Sequence, residues 1–490
     1  MKKIIIVFLG LITTIAGIST WRANTYYQDV QYKPSKTIVL IEIDEYAVVE
    51  RLSKAIQIPT VSKDDPAEVD PQPFIAFHHF LKENYPQVHA NAELKKINDY
   101  SLIYKFIGTN SSLKPILLMG HMDVVSVDDI TAKKWTYPPF SGTVADNMVW
   151  GRGALDDKST VMALMEAMEL TLAKGEKLQR TVYFSFGHDE EVGGKQGAAQ
   201  IAKYFAEQDI SFEFVLDEGG VILDKGMMPN VDKQVAIIGV AEKGFVNIRL
   251  VVDQVGGHSS QPPENTGPGV LAQAIVKLEE NKFPADLSFT NMTFDKIGYY
   301  TDFTSKLAMS NQWLFAPIIE NVMLGNPKTA ASIRTTTAVT MLSGSSKSNI
   351  LPTTATAVVN FRIMPGQTYE TVAKYVQQII NDPRVKLEIF MENNPSPVSK
   401  TDNYGYQLLE QTIREFDDDI LVAPYMVQGG TDAKYFYPLS SAIYRFIMVK
   451  LSNELLASIH GIDERIVISN YILGVQFFHQ IIKKSAVNIH

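Results

Sequence analysis

Apolar residues recur along this chain in two textures. The first is a set of short, continuous apolar runs over 102–108, 114–119, 181–186 and 212–216, which read as buried strands. Between and around them, 44–56, 74–85, 160–173 and 197–208 carry apolar residues at helical spacing. Three of the runs stop at polar tips: Gly120-His121-Met122-Asp123, Gly187-His188-Asp189-Glu190-Glu191 and Asp217-Glu218-Gly219-Gly220. Strand, acidic tip, helix is the grammar of a mostly parallel sheet with helices on both faces. Ligands of such sheets gather beyond the carboxyl ends of the strands.

The second texture begins near residue 243. Here 245–252, 335–342 and 356–363 alternate as half-exposed strands do, 385–391 reads as a further strand, and 269–280 and 369–380 read as helices. The β-α-β-β-α-β order predicts a smaller α+β, ferredoxin-like domain at 243–393 with one open face. It interrupts an α/β catalytic domain made of 44–242 and 394–490. Residues 282–330 read as irregular. The returning segment holds a helix at 405–416, Gly429-Gly430-Thr431-Asp432, a strand near 442–446, and His460-Gly461 before a final helix.

Composition removes several classes of function. A net charge of −9 gives no basic footprint for nucleic acid. With no cysteine among 490 residues, disulfides, thiolate zinc sites and cysteine nucleophiles are excluded. Any metal must be held by His and carboxylates, which suits an open catalytic site. The N-terminus pairs Lys2-Lys3 with an apolar run over 4–18, then Trp21-Arg22, and residues 23–43 read as a linker. Residues 1–22 are therefore a signal peptide or a membrane anchor, and the protein is exported: periplasmic, secreted or membrane-anchored. The run is shorter than the ~20 residues that normally span a bilayer.

Of the nine histidines, His78, His79, His89, His479 and His490 lack an acidic motif and read as packing or surface residues. His121, His258 and His460 stand in Gly-flanked or sharply turned segments, and His188 lies beside three acids. His121 at a strand tip has Asp123 two residues on, a carboxylate able to fix its tautomer. Asp156 stands at a helix mouth, where its two oxygens could bridge two ions. Glu190 and Glu191 are adjacent and cannot point the same way, so one can bind metal while the other acts as general base. Asp217 ends the next strand, and His460 could close the shell.

Six motifs in order carry a resemblance: Gly-His-Met-Asp-Val-Val (120–125), Gly-Arg-Gly-Ala-Leu-Asp-Asp-Lys (151–158), His-Asp-Glu-Glu-Val-Gly-Gly (188–194), Leu-Asp-Glu-Gly-Gly (216–220), Gly-Gly-His-Ser-Ser (256–260) and Ile-His-Gly-Ile-Asp-Glu (459–464). Together they resemble the co-catalytic zinc metallopeptidases of the aminoacylase and carboxypeptidase G2 superfamily, peptidase family M20. The wording is most similar to carboxypeptidase S and the N-fatty-acyl-amino-acid hydrolases, over about 44–488. The resemblance implies two Zn(2+) ions, with cobalt or manganese as substitutes. His121 and Asp217 would bind one ion, Glu191 and His460 the other, and Asp156 would bridge them. Glu190 would be the general base and Asp123 the group that orients His121. His258 would stabilise the oxyanion from the lid, often across a homodimer. Asn349, Arg362, Gly430 and Thr431 match positions that hold the substrate's carboxylate or carbonyl.

The implied activity is hydrolysis of a peptide or N-acyl bond beside a free α-carboxylate, by a carboxypeptidase or dipeptidase or, alternatively, by an N-fatty-acyl-amino-acid hydrolase/synthase. A non-catalytic binding protein on this fold would lack a ligand or the base, and this chain has both. An aminopeptidase fits Arg362 and the lid Gly-Gly-His less well, because these suit a substrate carboxylate.

Overall fold

A computed structural model describes residues 2–34 and 38–489; Met1, three residues of the predicted linker and His490 lie outside the described residues. The larger body is built on a ten-stranded sheet. Near its centre the strand Ile116–His121 runs parallel to Val182–Gly187 on one side and Val215–Asp217 on the other. All residues of these three strands are buried. A sheet covered on both faces needs apolar side chains on both, which is why the sequence shows runs rather than alternation. Leu118 and Leu216 pack into one core, Leu117 and Val215 into another across the sheet. Helix Lys158–Ala173, buried along most of its length and packed against Ile468–Ile482, covers the first face. Helix Ala198–Glu207 covers the other. The mostly parallel α/β class read from the sequence is the class observed. Five of its strands have no counterpart in the sequence reading, the longest being Val235–Glu242 and its parallel partner Leu421–Val427.

The smaller body is a four-stranded antiparallel sheet ordered Thr336–Ser343, Thr354–Ile363, Gly244–Asp253, Val385–Asn393. Helices Gly267–Glu280 and Tyr369–Ile380 lie on one face, and this lid has its own core around Val246, Ile248, Val359, Phe361, Val372 and Val376. Alternating burial along Gly244–Asp253 reflects the uncovered second face.

The segment expected to be irregular is helical instead. It forms Ser288–Ile297, Phe303–Met309, Gln312–Leu324 and Pro327–Ile333. These helices are short, and Pro317 lies inside one of them, so no long helical period marks them in the sequence. Ser288–Ile297 packs on the strand Leu421–Val427, and Thr293 Oγ1 donates to Pro424 O at 2.9 Å. The N-terminus is one helix, Lys2–Thr25, longer than the apolar run that starts it. Residues 26–32 follow as an arm pinned to the larger body: Tyr300 Oη donates to Asp29 Oδ1 at 2.6 Å, and buried Gln31 bonds Val422 through both its donor and its acceptor.

Candidate metal centre

The strand tips converge as the parallel topology requires. The strand Ile116–His121 delivers His121, which is fully buried. His121 Nδ1 donates to the main-chain O of Asp123 at 2.9 Å, with Asp123 Oδ1 at 3.4 Å. This fixes the tautomer and leaves Nε2 facing the cluster. The Asp123 carboxylate is also engaged elsewhere: its two oxygens accept from the amides of Glu190 and Glu191, each at 3.1 Å. One buried carboxylate thus ties the His121 tip to the Glu190–Glu191 tip.

Asp156 sits in the turn before helix Lys158–Ala173. Its Oδ1 lies 2.9 Å from His121 Nε2 and its Oδ2 3.0 Å from His460 Nε2. The two oxygens therefore divide between the two imidazoles. The Asp156–Asp157 peptide is cis. Buried Glu464 holds the turn: its Oε1 accepts from the amides of Gly153, Leu155 and Asp156 at 2.8–3.1 Å, and its Oε2 faces Arg152 Nη1 at 2.5 Å. Glu464 belongs to the same motif as His460, so one short segment supplies a ring to the cluster and props the turn that carries Asp156. His460 takes a left-handed conformation with φ 57°, and its Nε2 lies 2.9 Å from Glu191 Oε2.

Asp217 is not in either close grouping of ligand-type atoms. Its Oδ2 accepts from the amide of Ala433 at 2.8 Å, close to the positive charge of Arg445. The next residue, Glu218, is the one that reaches His121, with Oε1 3.4 Å from Nε2. Consecutive residues at a strand end face opposite ways. The reasoning that separates Glu190 from Glu191 separates this pair too, and could have identified Glu218.

Ligand-type atoms of His121, Asp156 and Glu191 lie within 4.8 Å of one another, as do those of His121, Glu190 and Glu218. Four carboxylates and two imidazoles in so small a space leave an excess of negative charge. Burial pushes the carboxyls of Glu190, Glu191 and Glu218 up, Glu218 to about 7. Asp156 and Glu191 hold the His460 imidazolium up at about 10. Buried Glu191 Oε1 has no hydrogen-bond partner among the described residues. An oxygen- and imidazole-rich set short of positive charge is what divalent cations satisfy, so the residues fit the metals the sequence implies.

The remaining predicted site residues lie outside this cluster. His258 is exposed on a two-residue strand, Gly257–His258, paired with Ile350–Leu351, and its Nδ1 lies 2.7 Å from Ser260 Oγ. Asn349 is beside it, its main-chain O accepting from the amide of Ser259. Arg362 stands on the lid sheet over Phe245. Thr431 is buried, its hydroxyl donating to Glu242, which also pairs with Arg445. Gly430 borders open space. Asp432, next along, presses on the Glu190 tip: a Cβ at Gly194, where φ is +71°, would meet its Oδ1 at 2.1 Å, so only glycine fits there. His188, noted beside three acids, is instead a packing residue bonded to Ser101 Oγ at 2.6 Å.

Histidine and carboxylate side chains converging at the carboxyl edge of a parallel sheet, in a domain interrupted by a smaller α+β body, define a metallohydrolase. Comparison with known proteins agrees. Residues 117–484 match Peptidase family M20/M25/M40. The chain is 43% identical over 448 residues to "Probable carboxypeptidase S-like 2" of Dictyostelium discoideum, covering 90% of this chain and 86% of that protein. It is 38% identical over 449 residues to the human "N-fatty-acyl-amino acid synthase/hydrolase PM20D1", covering 90% and 88%. The crystal structure of the M20 family metallo-carboxypeptidase Sso-CP2 from Sulfolobus solfataricus superposes with a TM-score of 0.64 at 20% identity, over 90% of this chain and 99% of that one. The chain belongs to peptidase family M20/M25/M40. It is a metal-dependent enzyme that hydrolyses amide bonds.

Proposed function

We propose that this enzyme is a two-zinc hydrolase of peptide or N-acyl bonds beside a free α-carboxylate. The division of Asp156 between His121 and His460 carries this reading. His121 and Glu218 would hold one ion, Glu191 and His460 the other, and Asp156 would bridge them. Cobalt or manganese would substitute, since His and carboxylate shells discriminate weakly among these metals. Bound there, the metals supply Lewis-acid polarisation of the scissile carbonyl and lower the pKa of water. The chain does the rest. Glu190, whose carboxyl burial holds well above its ordinary range, takes the proton of the attacking water and delivers it to the leaving amine. The Asp123 carboxylate fixes the main chain of that base through the Glu190 amide.

His258, Asn349 and Arg362 would meet substrate when the lid closes or from the partner of a homodimer. His258 would donate to the oxyanion, and Arg362 would hold the α-carboxylate. Gly430 and Thr431 would border the same end of the substrate. The relatives named as carboxypeptidase S-like and as N-fatty-acyl-amino acid synthase/hydrolase offer two acyl classes, amino-acyl and fatty-acyl. The N-terminal helix supports a retained anchor over a cleaved signal. Asn311 Nδ2 donates to Ser19 O at 3.0 Å, Arg22 Nε donates to Ser310 O at 2.8 Å, and Ala23 and Tyr27 are buried.

The test is hydrolysis of a panel of dipeptides and N-acyl amino acids, with metal analysis before and after chelation. Glu190→Gln is expected to keep its metal and lose about 10²–10⁴-fold in kcat. Near-normal turnover in that variant, or activity that survives complete metal removal, would overturn the reading.

A further inference from the structure

The helix Gln312–Leu324 keeps its apolar character on the side that faces away from the protein. Ile319 is buried, and Phe315, Met323 and Leu324 pack inward on Tyr27 and its neighbours. On the opposite side Trp313, Leu314, Pro317, Ile318, Asn321 and Val322 are exposed, Ile318 at 60% and Val322 at 69%. They fall on one helical face, five of the six are apolar, and none is charged. Such a face costs hydration free energy and is kept where something apolar covers it.

What adjoins it identifies the cover. The helix begins next to the end of Lys2–Thr25, through Asn311 to Ser19 and Ser310 to Arg22. Among the described residues, that N-terminal helix is the one long and apolar enough to cross a membrane. Its 24 residues span about 36 Å; the turns from Ser19 onward dock on the protein, and the apolar part before them is free to enter the ~30 Å hydrocarbon of a bilayer. Ile4, Ile5, Ile6, Val7 and Phe8 on it are all more than half exposed. The attachment point is the stretch that ends the apolar run and carries Trp21 and Arg22, the residue types of a membrane–water boundary. Trp21 and Trp313 are 65% and 60% exposed near that junction.

We infer that the exposed face of Gln312–Leu324 lies against the surface of the same lipid bilayer that holds the N-terminal helix, a second contact that fixes how the enzyme is oriented on the membrane. This rests on the reading of the N-terminal helix as an anchor. The occupant is lipid rather than a second copy of the chain, because the helix that carries this face starts at the boundary end of the apolar N-terminal helix. A helix with one apolar face toward lipid and the other packed on protein is an interfacial element.

The absence of cysteine makes the test direct, since one introduced thiol carries one probe. Ile318→Cys, Val322→Cys, Leu9→Cys and, on the edge strand Glu93–Ile97 of the large sheet, Leu94→Cys are each labelled with an environment-sensitive fluorophore. The full-length protein is reconstituted into phosphatidylcholine–phosphatidylglycerol vesicles containing doxyl-labelled lipid. Probes at 318, 322 and 9 are expected to shift to the blue and lose most of their fluorescence to the lipid quencher, while the probe at 94 stays bright. If 9 is quenched and 318 and 322 are not, the anchor stands and the inference falls. Probes at 318 and 322 shielded from aqueous iodide yet untouched by doxyl lipid would mean that protein covers the face, which also overturns it. If 9 is unquenched, the anchor reading itself fails.

Discussion

Replacing Glu218 by alanine removes the carboxylate 3.4 Å from His121 Nε2; the variant is expected to lose bound metal and most activity. Asp217→Asn is expected to keep its metal content, because that side chain serves the Ala433 amide instead. Metal analysis of the two purified variants separates them, and the reverse pattern would restore Asp217 as the ligand. Glu464 gives a second prediction. It is fully buried and pairs with Arg152, itself 2% exposed. Glu464→Gln leaves that guanidinium without its counter-charge, at a cost of about 3–5 kcal/mol, read as a lower urea midpoint. At this scale the sequence revealed which residue types gather but not always which neighbour points inward. His121, Asp156, Glu190, Glu191 and His460 were legible because Gly-flanked tips and acid pairs mark them. The resemblance points to Asp217, whereas Glu218 is the neighbour whose carboxylate lies 3.4 Å from His121 Nε2. Glu464 was hidden because a buried carboxylate that props backbone amides has no signature of its own.

Among the elements, the central buried strands that end in polar tips and the amphipathic helices were legible, whereas Val235–Glu242 and Leu421–Val427 were not. The helices Ser288–Ile297 to Pro327–Ile333 were not. They are short, and Gln312–Leu324 is apolar on the inside and the outside, so it shows no helical period. The last helix, Ile468–Ile482, carries a testable property. His479 is buried, and neither ring nitrogen has a hydrogen-bond partner among the described residues. Burial, helped by Lys483 and Lys174, lowers it from 6.5 to about 4. The unfolded chain takes up a proton below pH 6.5 while the folded one resists until about 4. The contribution is therefore fully present above pH 6.5 and is lost as pH falls toward 4. At pH 5 the loss is about 2 kcal/mol. His479→Leu is expected to flatten the acid side of the stability curve followed by urea unfolding. An unchanged acid limb would place the sensitivity elsewhere.

For the molecule as a whole, the N-terminal helix has two parts with different duties. Residues 2–18 touch little of the protein, whereas Ser19 to Tyr27 dock on the helices around Ser310 and Gly298. Deleting residues 2–18 is expected to give a soluble enzyme with normal melting behaviour. Deleting residues 2–27 strips the cover from Met309, Ile319 and Ile333 and is expected to lower the melting temperature and promote aggregation. Fractionation and thermal melts of the two truncations check this, and identical melts would show that the docked turns contribute nothing.

The cluster also has a history written into its connectivity. Four of its carboxylates and His121 lie before the lid in the chain, whereas His460 and the supporting Glu464 come after it. During synthesis a chain that has completed the first sheet and the lid still lacks the ring opposite Asp156 and the prop beneath it. If Asp156 bridges two ions as proposed, their capture is a late event, and a translation product cut short anywhere in the lid is expected to be inert. Activity becomes a report that the ribosome has passed residue 464.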